Sequence, residues 1–305
     1  MKKLTVICCL ILSLFLISGC TDATADVSKK NEVLFKVGKT TYTKGDMYDK
    51  MVSDDAGNGA VAKALEIVAN KEIETTPAIQ ARGEEIYADY SKQLEESYKE
   101  AEMDFDLEEA LKAVGFESID DFKNYCLNSA KEEALIDKYI EEHWDSLLEE
   151  YKPVKARMMQ VSGTTDTMEE AYLTINGAKE RVQNGENFEA VAKSIGSKDT
   201  LAAESLYTRN DSSLDYNVLQ FLISAKAPTL SGVVTNKDAN AYYLIQVTNV
   251  NYEQLKPEFI EFLKDDIDFI DEVHKSYMKK YNFTIYDINV YNFVKDNYPA
   301  FLVQE

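Results

Sequence analysis

The apolar positions between residues 61 and 150 recur at spacings of three and four, which is the period of an amphipathic helix. The clearest stripe of this kind consists of Ile86, Tyr87, Tyr90, Leu94 and Tyr98. Similar stripes precede and follow it, and helix-breaking residues separate them. The pattern therefore predicts one helix after another across this part of the chain.

A different pattern occupies residues 33–44, where two short β-rich runs flank Gly38 and Lys39. A glycine-containing pair between such runs predicts a hairpin. Thr43 is a suitable N-cap for a helix that begins near Lys44, with a carboxylate in its first turn. We therefore expect a strand–turn–strand–helix module ahead of the helical stretch.

Between residues 154 and 250 the pattern becomes a mixture of strands and helices. The predicted order is strand, helix, helix, strand and strand, at residues 154–161, 168–183, 188–193, 230–234 and 241–247. This stretch therefore predicts a small α/β unit.

The last part of the chain returns to helical periodicity. Residues 257–281 carry apolar side chains at helical spacing and predict one long helix. Residues 282–288 alternate between apolar and polar side chains and predict a strand. Residues 290–301 predict a short closing helix.

The order of the elements between residues 154 and 250 resembles the parvulin peptidyl-prolyl isomerase domain. Further toward the N-terminus, the run Gly115-Phe116-Glu117-Ser118-Ile119-Asp120-Asp121-Phe122 resembles a helix start common in PrsA/SurA-type foldases. The hairpin and capped helix at residues 33–44 are similar to the start of the N-terminal domain in those proteins. The resemblance implies an α+β fold, in which a mainly helical, discontinuous chaperone domain carries an inserted, small parvulin-like α/β domain.

On this resemblance the chain divides into five segments. They are a signal peptide (1–19), a lipid-anchored flexible tether (20–32), an N-terminal helical chaperone domain (33–152), the parvulin-like domain (153–250) and a C-terminal helix and strand that pack back on the N-terminal domain (251–305).

The two histidines of the parvulin centre have no counterpart here. By the resemblance, Met158 takes the position of one histidine in the first strand, and Tyr243 takes the position of the other in the last strand. No histidine lies between residues 154 and 250, so no shift of the alignment restores the pair. Any remaining substrate binding would depend on an apolar pocket. Its expected walls are Leu219, Phe221 and Leu222 on the helix before Pro228.

The first twenty residues have the order of a secretory leader. Two lysines precede an apolar run that is too short to span a membrane comfortably. Ser18, Gly19 and Cys20 end this run and resemble the bacterial lipobox. The resemblance implies that Cys20 is acylated and that the mature protein is anchored to the extracytoplasmic face of a bacterial cell membrane.

The charge balance restricts the partners. The chain has 54 acidic and 33 basic side chains, giving a formal net charge of −21. Such a surface repels phosphate backbones, so we expect no nucleic-acid binding. It is compatible with binding unfolded or secreted polypeptides that are basic or neutral. A homodimer is a further candidate assembly.

Residues able to carry other chemistry are few. If Cys20 is acylated, Cys126 has no disulfide partner, and we expect it on a buried helix face. His143 and His274 lie on acidic helical segments without metal-ligand spacing, so we expect both to be solvated or interfacial. We therefore expect no metal site and no cofactor.

The favoured hypothesis is a membrane-anchored, extracytoplasmic folding factor for secreted polypeptides, with a weak or inactive parvulin domain. The alternative is an active peptidyl-prolyl isomerase of the parvulin family that works by desolvation in its pocket. The two hypotheses differ in whether the protein is an enzyme, and the sequence does not decide between them. A solute-binding lipoprotein would need alternating β–α units, which the long helical stretch disfavours. A structural cell-surface lipoprotein is the remaining hypothesis.

Overall fold

A computed structural model describes the chain over residues 27–37, 39–51 and 57–302. The predicted leader 1–19 and the predicted acylation site Cys20 lie outside these residues, as does Gly38 of the predicted turn. Within the described ranges no helix combines the length and the apolarity needed to cross a membrane.

The chain divides into two compact units. The discontinuous unit comprises residues 1–137 and 268–305, and the inserted unit comprises residues 138–267. The discontinuous unit is mainly helical, whereas the inserted unit contains an antiparallel sheet and helices. The predicted α+β class, with a small α/β domain inserted into a discontinuous helical one, is confirmed. The inserted unit includes more helical residues at both ends than the predicted segment 153–250.

The N-terminal part contains a hairpin followed by helices. In chain order the elements are β1 (Val33–Val37), β2 (Thr40–Thr43), α1 (Lys44–Met51), α2 (Gly57–Glu72), α3 (Pro77–Glu100), α4 (Leu107–Ala113) and α5 (Ile119–Tyr151). β1 and β2 pair antiparallel, with Val33 opposite Thr43. The predicted hairpin and the predicted run of helices are both present.

Side-chain caps explain where two of these helices begin. At the start of α1, the Asp46 N–H donates to Thr43 Oγ1 over 3.2 Å, and the Thr43 N–H donates to the Asp46 carboxylate over 2.7 Å. This reciprocal arrangement satisfies backbone donors that the first turn leaves unpaired. Ser118 caps α5, because its Oγ accepts from the Asp121 N–H over 3.1 Å.

The end of the predicted tether contacts the start of α1. The Lys44 N–H donates to the Glu32 carbonyl over 2.9 Å, and the Gly45 N–H donates to the Lys30 carbonyl over 2.8 Å. Residues 30–32 are therefore hydrogen-bonded to a helix, although the sequence places them in a flexible tether.

An apolar cluster lies among α3, α4 and α5. Its centre consists of Leu111, Phe122 and Cys126, all of them fully buried. Burial raises the pKa of the Cys126 thiol, which keeps it protonated and unreactive. The prediction that Cys126 lies on a buried helix face is confirmed.

The inserted unit continues from α5 with alternating strands and helices. Its elements are β3 (Val154–Ser162), α6 (Met168–Gln183), α7 (Phe188–Ser194), α8 (Asp199–Ala202), β4 (Ser205–Tyr207), α9 (Tyr216–Ser224), β5 (Thr229–Leu230), β6 (Val234–Asn236), β7 (Ala241–Asn249) and α10 (Tyr252–Asp265). The sheet is antiparallel in the order β4–β3–β7–β5, and β6 also pairs with β7.

Each face of this sheet holds an apolar cluster, because side chains on neighbouring positions of a strand point to opposite faces. On one face Met158 and Ile245 pack with Leu222 of α9. On the other face Met159 and Leu244 pack with α6 and α7. The central strands β3 and β7 are therefore buried on both sides.

The predicted single helix at residues 257–281 is wrong. Two helices occupy this stretch, α10 and α11 (Ile267–Lys280). Helical structure is interrupted between them at Asp266, whose backbone is extended with φ −85° and ψ 106°. The apolar periodicity continues across the break, so the sequence pattern does not reveal it.

The predicted strand at residues 282–288 is also wrong. In the described part of the chain no strand pairs with these residues. Ile285 instead packs against the cluster of Val61, Val294 and Phe301. Asp287 caps α12 (Ile288–Asn297), accepting from the Asn289 N–H over 2.9 Å, and a 3₁₀ turn at Pro299–Phe301 follows. The alternating pattern here reflects packing of an irregular segment.

Of the two environments expected for His274, solvated or interfacial, the solvated one is wrong. This side chain is only 6% exposed on α11. Its Nε2 lies 3.2 Å from Glu132 Oε1, and its ring meets the ring of Phe301 edge-on, with centroids 5.9 Å apart. The acidic residues around it in sequence lie on other faces of the helix, so they do not predict its environment.

Candidate functional site

Met158, the first of the two predicted dyad positions, lies on β3 and is completely buried. It is directly opposite Ile245 of β7 and packs on the face that α9 covers. A thioether at this position fills space and offers no group that could transfer a proton. The structure therefore makes Met158 a core residue.

Tyr243, the second dyad position, lies on β7 opposite Gln160 of β3. It is half-buried and packs against the cluster that contains Met158. Because Met158 is two residues away from Gln160 on the same strand, Met158 and Tyr243 are diagonal neighbours on one face of the sheet. The structure brings the two positions together without placing them directly opposite each other.

The Tyr243 side chain forms a hydrogen bond with Asn236 and experiences the negative charge of Asp215. Burial raises the pKa of Tyr243, the negative charge of Asp215 raises it further, and a hydrogen bond with Asn236 opposes this rise. The Asp215 carboxylate caps α9 by accepting from the Asn217 N–H over 2.9 Å. Tyr243 is therefore a neutral phenol at physiological pH, able to donate a hydrogen bond but not to act as a general base.

The three predicted pocket walls differ in their exposure. Leu222 is completely buried in the cluster with Met158, so its side chain is not accessible at the surface. Leu219 and Phe221 are half-buried on α9, and Phe221 packs against the same cluster as Tyr243. Phe221 and Tyr243 therefore contribute accessible apolar surface on this face, together with other half-buried side chains such as Leu214 and Val234.

The histidine of the inserted unit does not belong to this face. His143 lies on α5, where its Nδ1 is 2.9 Å from the carbonyl oxygen of Tyr139. Its ring also stacks on the ring of Tyr139, with centroids 4.0 Å apart. Both contacts are within one helical turn, so His143 is held by its own helix.

Two apolar grooves run along α2 in the discontinuous unit, and the sequence analysis did not identify them. The first, which we call the Tyr125 groove, has a volume of about 430 Å³. It is lined mainly by Ala62, Leu65 and Ala69 of α2 and by Tyr125 and Asn128 of α5. Tyr125 is 54% exposed, so its ring is accessible from the solvent.

The second groove lies between α2 and the end of α11, and we call it the Ile67 groove. Its volume is about 360 Å³. It is lined mainly by Ala60, Ala64, Ile67, Val68, Met278 and Phe283. The small side chains on both sides of α2 leave the space for these grooves. Alanines four positions apart, such as Ala60 and Ala64, are the sequence signal that could have indicated the Ile67 groove.

The two grooves differ in charge. Glu66 and Glu132 line the Tyr125 groove, together with Lys63. Lys63 and Lys71 are the charged residues that line the Ile67 groove. Lys63 donates to both carboxylate oxygens of Glu66, over 2.7 and 2.8 Å. One groove therefore has an acidic rim and the other a basic one.

The described residues contain no group of three or more His, Cys, Asp or Glu side chains arranged to hold a metal ion. Neither groove and neither dyad position therefore provides a metal centre from the described residues. The chemistry these surfaces offer is apolar contact, hydrogen bonding and ion pairing.

No protein-family model and no curated protein matches the chain. Among solved structures, the foldase protein PrsA from Streptococcus pneumoniae is similar, with 16% identity over 88% of this chain and 99% of that chain and a TM-score of 0.41. PrsA from Bacillus subtilis is 18% identical over 88% of this chain and 99% of that chain, with a TM-score of 0.37. The peptidylprolyl isomerase PrsA from Bacillus cereus is 18% identical over 88% of this chain and 98% of that chain, with a TM-score of 0.48. At these identities and TM-scores the likeness carries no conclusion about activity.

Proposed function

We propose that this protein is a folding factor that binds non-native polypeptides through the two grooves along α2, and that its inserted unit is not an efficient parvulin isomerase. The observation that carries the proposal is the pair of open apolar grooves in a strongly acidic chain. The absence of titratable chemistry at Met158 supports its second part.

A protein that holds unfolded chains must expose apolar surface without aggregating itself. Large exposed apolar patches promote association, whereas a net charge far from zero opposes it. Tyr125 and Ile67 are 54% and 47% exposed at the rims of the two grooves, and the chain carries a formal charge of −21. The combination fits a surface that binds apolar segments reversibly.

The catalytic part of the proposal rests on the inserted unit. A parvulin centre needs polar groups beside the twisted amide, and here the first position is a buried methionine. The half-buried pair of Tyr243 and Phe221 is the observation that favours the second candidate, a slow isomerase. Such an enzyme would have only a phenolic hydrogen bond and an apolar surface to lower the barrier of ~18–20 kcal/mol.

We further propose that Cys20 anchors the protein to a membrane. The support is the order of a basic start, an apolar run and Ser18-Gly19-Cys20. The variant Cys20→Ser should remain unprocessed or be released from the membrane fraction. Unchanged processing and unchanged partitioning of this variant into a detergent phase would contradict the anchor.

The folding-factor proposal is tested by suppression of aggregation of a reduced, unfolded substrate. Ala62→Trp places a large ring in the Tyr125 groove and should weaken the suppression. Ala88→Trp adds the same ring at an exposed position of α3, outside both grooves, and should leave suppression unchanged.

Two results would count against the proposal. The first is a wild-type protein that does not suppress aggregation at a several-fold molar excess. The second is equal suppression by wild type and Ala62→Trp, provided that circular dichroism shows both to be folded. The second result would exclude the Tyr125 groove as a binding surface and leave the Ile67 groove as the binding surface.

A further inference from the structure

We propose that the Ile67 groove selects apolar polypeptide segments that carry a carboxylate next to their apolar side chains. This inference rests on the proposed function and deepens it, because it names the class of segment that one groove accepts. The occupant to which we commit is a client polypeptide.

The floor and rim of the groove provide the apolar part of the site. Val68 and Met278 are 3% and 1% exposed and form the buried floor of the groove. Ala60 and Ala64 are small and lie one helical turn apart, which leaves open space above the floor. Ile67 is 47% exposed at the rim. The resulting volume of about 360 Å³ lies within the range of small ligand pockets, ~300–1,000 Å³.

The charges at the groove provide the selective part. Lys63 is neutralised by Glu66, to which it donates two hydrogen bonds. Lys71 pairs with no carboxylate among the described residues, and its Nζ lies 4.8 Å from the centroid of the Tyr281 ring. The hydroxyl of Tyr281 donates to the buried carboxylate of Glu72 over 2.8 Å, which fixes the ring beneath Lys71. The Glu72 carboxylate is itself paired with Lys280. Lys71 is therefore a positioned cation with no ion-pair partner among the described residues, at the edge of an apolar groove.

This local charge is opposite in sign to the charge of the whole chain. At −21 the protein as a whole attracts basic peptides and repels acidic ones. A preference for an acidic peptide would therefore have to come from contacts close to Lys71, since charges further away than the screening length of ~8 Å contribute little at physiological salt. Tighter binding of the acidic peptide would therefore indicate contact with the groove, whereas tighter binding of the basic peptide would indicate attraction by the net negative charge.

The test uses three peptides that share one apolar core, Leu-Phe-Leu, and differ in the residue that follows it: Asp, Asn or Lys. Both ends are blocked, so that the side chain is the only variable charge. Binding to the full-length protein is followed by fluorescence anisotropy. We expect the Asp peptide to bind about two- to fivefold more tightly than the Asn peptide, as an exposed ion pair provides.

Two variants with the same loss of charge separate the local contact from the general field. Lys71→Met should abolish the difference between the Asp and Asn peptides. Lys92→Met removes a charge from α3, where the side chain is 73% exposed, and should leave the difference unchanged. A wild-type protein that binds both peptides equally, or a Lys71→Met variant that retains the preference, would overturn the inference.

Two further variants test the groove itself. Ala64→Phe fills the groove and should abolish the preference for the Asp peptide. Ile67→Asp changes an exposed position and should reverse the preference toward the Lys peptide. This second variant keeps the test valid if Ala64→Phe does not fold. An unchanged Asp preference in both variants would overturn the site. A doubling of the solution mass that Ile67→Asp abolishes would show a second copy of the chain in the groove and would also overturn it. These failures leave the folding-factor proposal standing if the wild type still suppresses aggregation.

Discussion

Met158, which the sequence placed at a predicted catalytic position, is a packing residue in the structure. Its side chain is completely buried between the sheet and α9, opposite Ile245. Methionine is unbranched and adaptable, so it fills the volume without requiring a polar partner. The result is an apolar core on that face of the sheet.

This role predicts that Met158 matters for stability. Met158→Ala should lower the free energy of unfolding of the inserted unit by ~2–5 kcal/mol, because it leaves a cavity in the core. The single tryptophan, Trp144, lies in the inserted unit and contacts Phe259, so its fluorescence during urea unfolding reports on this unit. Leu173→Ala, on α6 of the inserted unit at a position that is 63% exposed, is the control and should stay within ~0.5 kcal/mol of wild type. Equal midpoints for the two variants would contradict the packing role.

At the residue scale the sequence predicted some environments and missed others. The burial of Cys126 was predictable, because it occupies the apolar stripe of a clearly periodic helix. The burial of His274 was not, because only the tertiary structure shows that α11 turns this side chain toward Glu132 and Phe301. Leu222 and Phe221 are neighbours in sequence, yet one is core and the other half-exposed, since adjacent helical positions point about 100° apart.

The packing of α3 against α5 depends on a glycine. A Cβ at Gly83 would lie 3.1 Å from Leu127 Cα and 3.4 Å from Leu127 N, and both are backbone atoms that cannot rotate away. Gly83→Ala should therefore lower the free energy of unfolding of the discontinuous unit by ~1–3 kcal/mol through overpacking, despite the better helix propensity of alanine.

A matched glycine provides the control for this prediction. Gly177 lies inside α6, and a Cβ added there would meet nothing within 4 Å. Gly177→Ala should therefore stabilise the inserted unit by up to ~1 kcal/mol. Helical circular dichroism measured against urea gives both values. Stabilisation of similar size in both variants would show that α3 and α5 are not in close contact.

The capping pair at the start of α1 predicts a dependence on pH. The Thr43 N–H, and next the Thr43 hydroxyl, hold the pKa of Asp46 below its ordinary value. Because the folded-state pKa is lowered, the cap stabilises α1 above the unfolded pKa of ~3.9, and this contribution is lost as the pH falls through the folded value. An NMR titration of the Asp46 carboxyl should give a midpoint below the ordinary value.

Two substitutions at the cap separate the hydroxyl from the backbone. Thr43→Ala removes the hydroxyl hydrogen bond and should raise the Asp46 midpoint, although the backbone N–H continues to lower it. Thr43→Ser keeps the hydroxyl and should leave the midpoint where it is. The same midpoint in wild type and Thr43→Ala would show that the hydroxyl does not contribute.

At the element scale the sequence predicted α6 with the same bounds as the structure, because its periodicity and its flanking polar residues agree. It failed at residues 282–288, where alternation alone cannot show whether a partner strand exists. It also failed at Asp266, where one apolar stripe continues over two helices. The grooves along α2 were missed for a related reason, since small side chains create space only when a second element stands beside them.

The whole molecule combines an acidic composition with apolar grooves in one unit and a sheet that contains no histidine in the other. The acidic charge and the absence of histidines follow from residue types, and the sheet follows from hydrophobic periodicity, whereas the grooves do not follow from either. The charge of the groove rims does not follow from them, because it depends on which lysines and glutamates the tertiary structure pairs. Lys63 and Lys71 look alike in sequence, yet only Lys63 has a carboxylate partner among the described residues.

The central claim is that this protein assists folding without efficient X-Pro isomerisation, and one refolding reaction tests it most directly. The substrate is a protein whose refolding is limited by proline isomerisation, and its rate constant is measured at several concentrations of the full-length protein. Each electrostatic or hydrogen-bonding role lost from a catalytic site costs ~1 to a few kcal/mol, or about one to three decades in rate. We therefore expect a rate constant that does not change with concentration, while aggregation of the same substrate decreases. A rate constant that rises linearly with concentration, at the efficiency of parvulins with both histidines, would contradict the account.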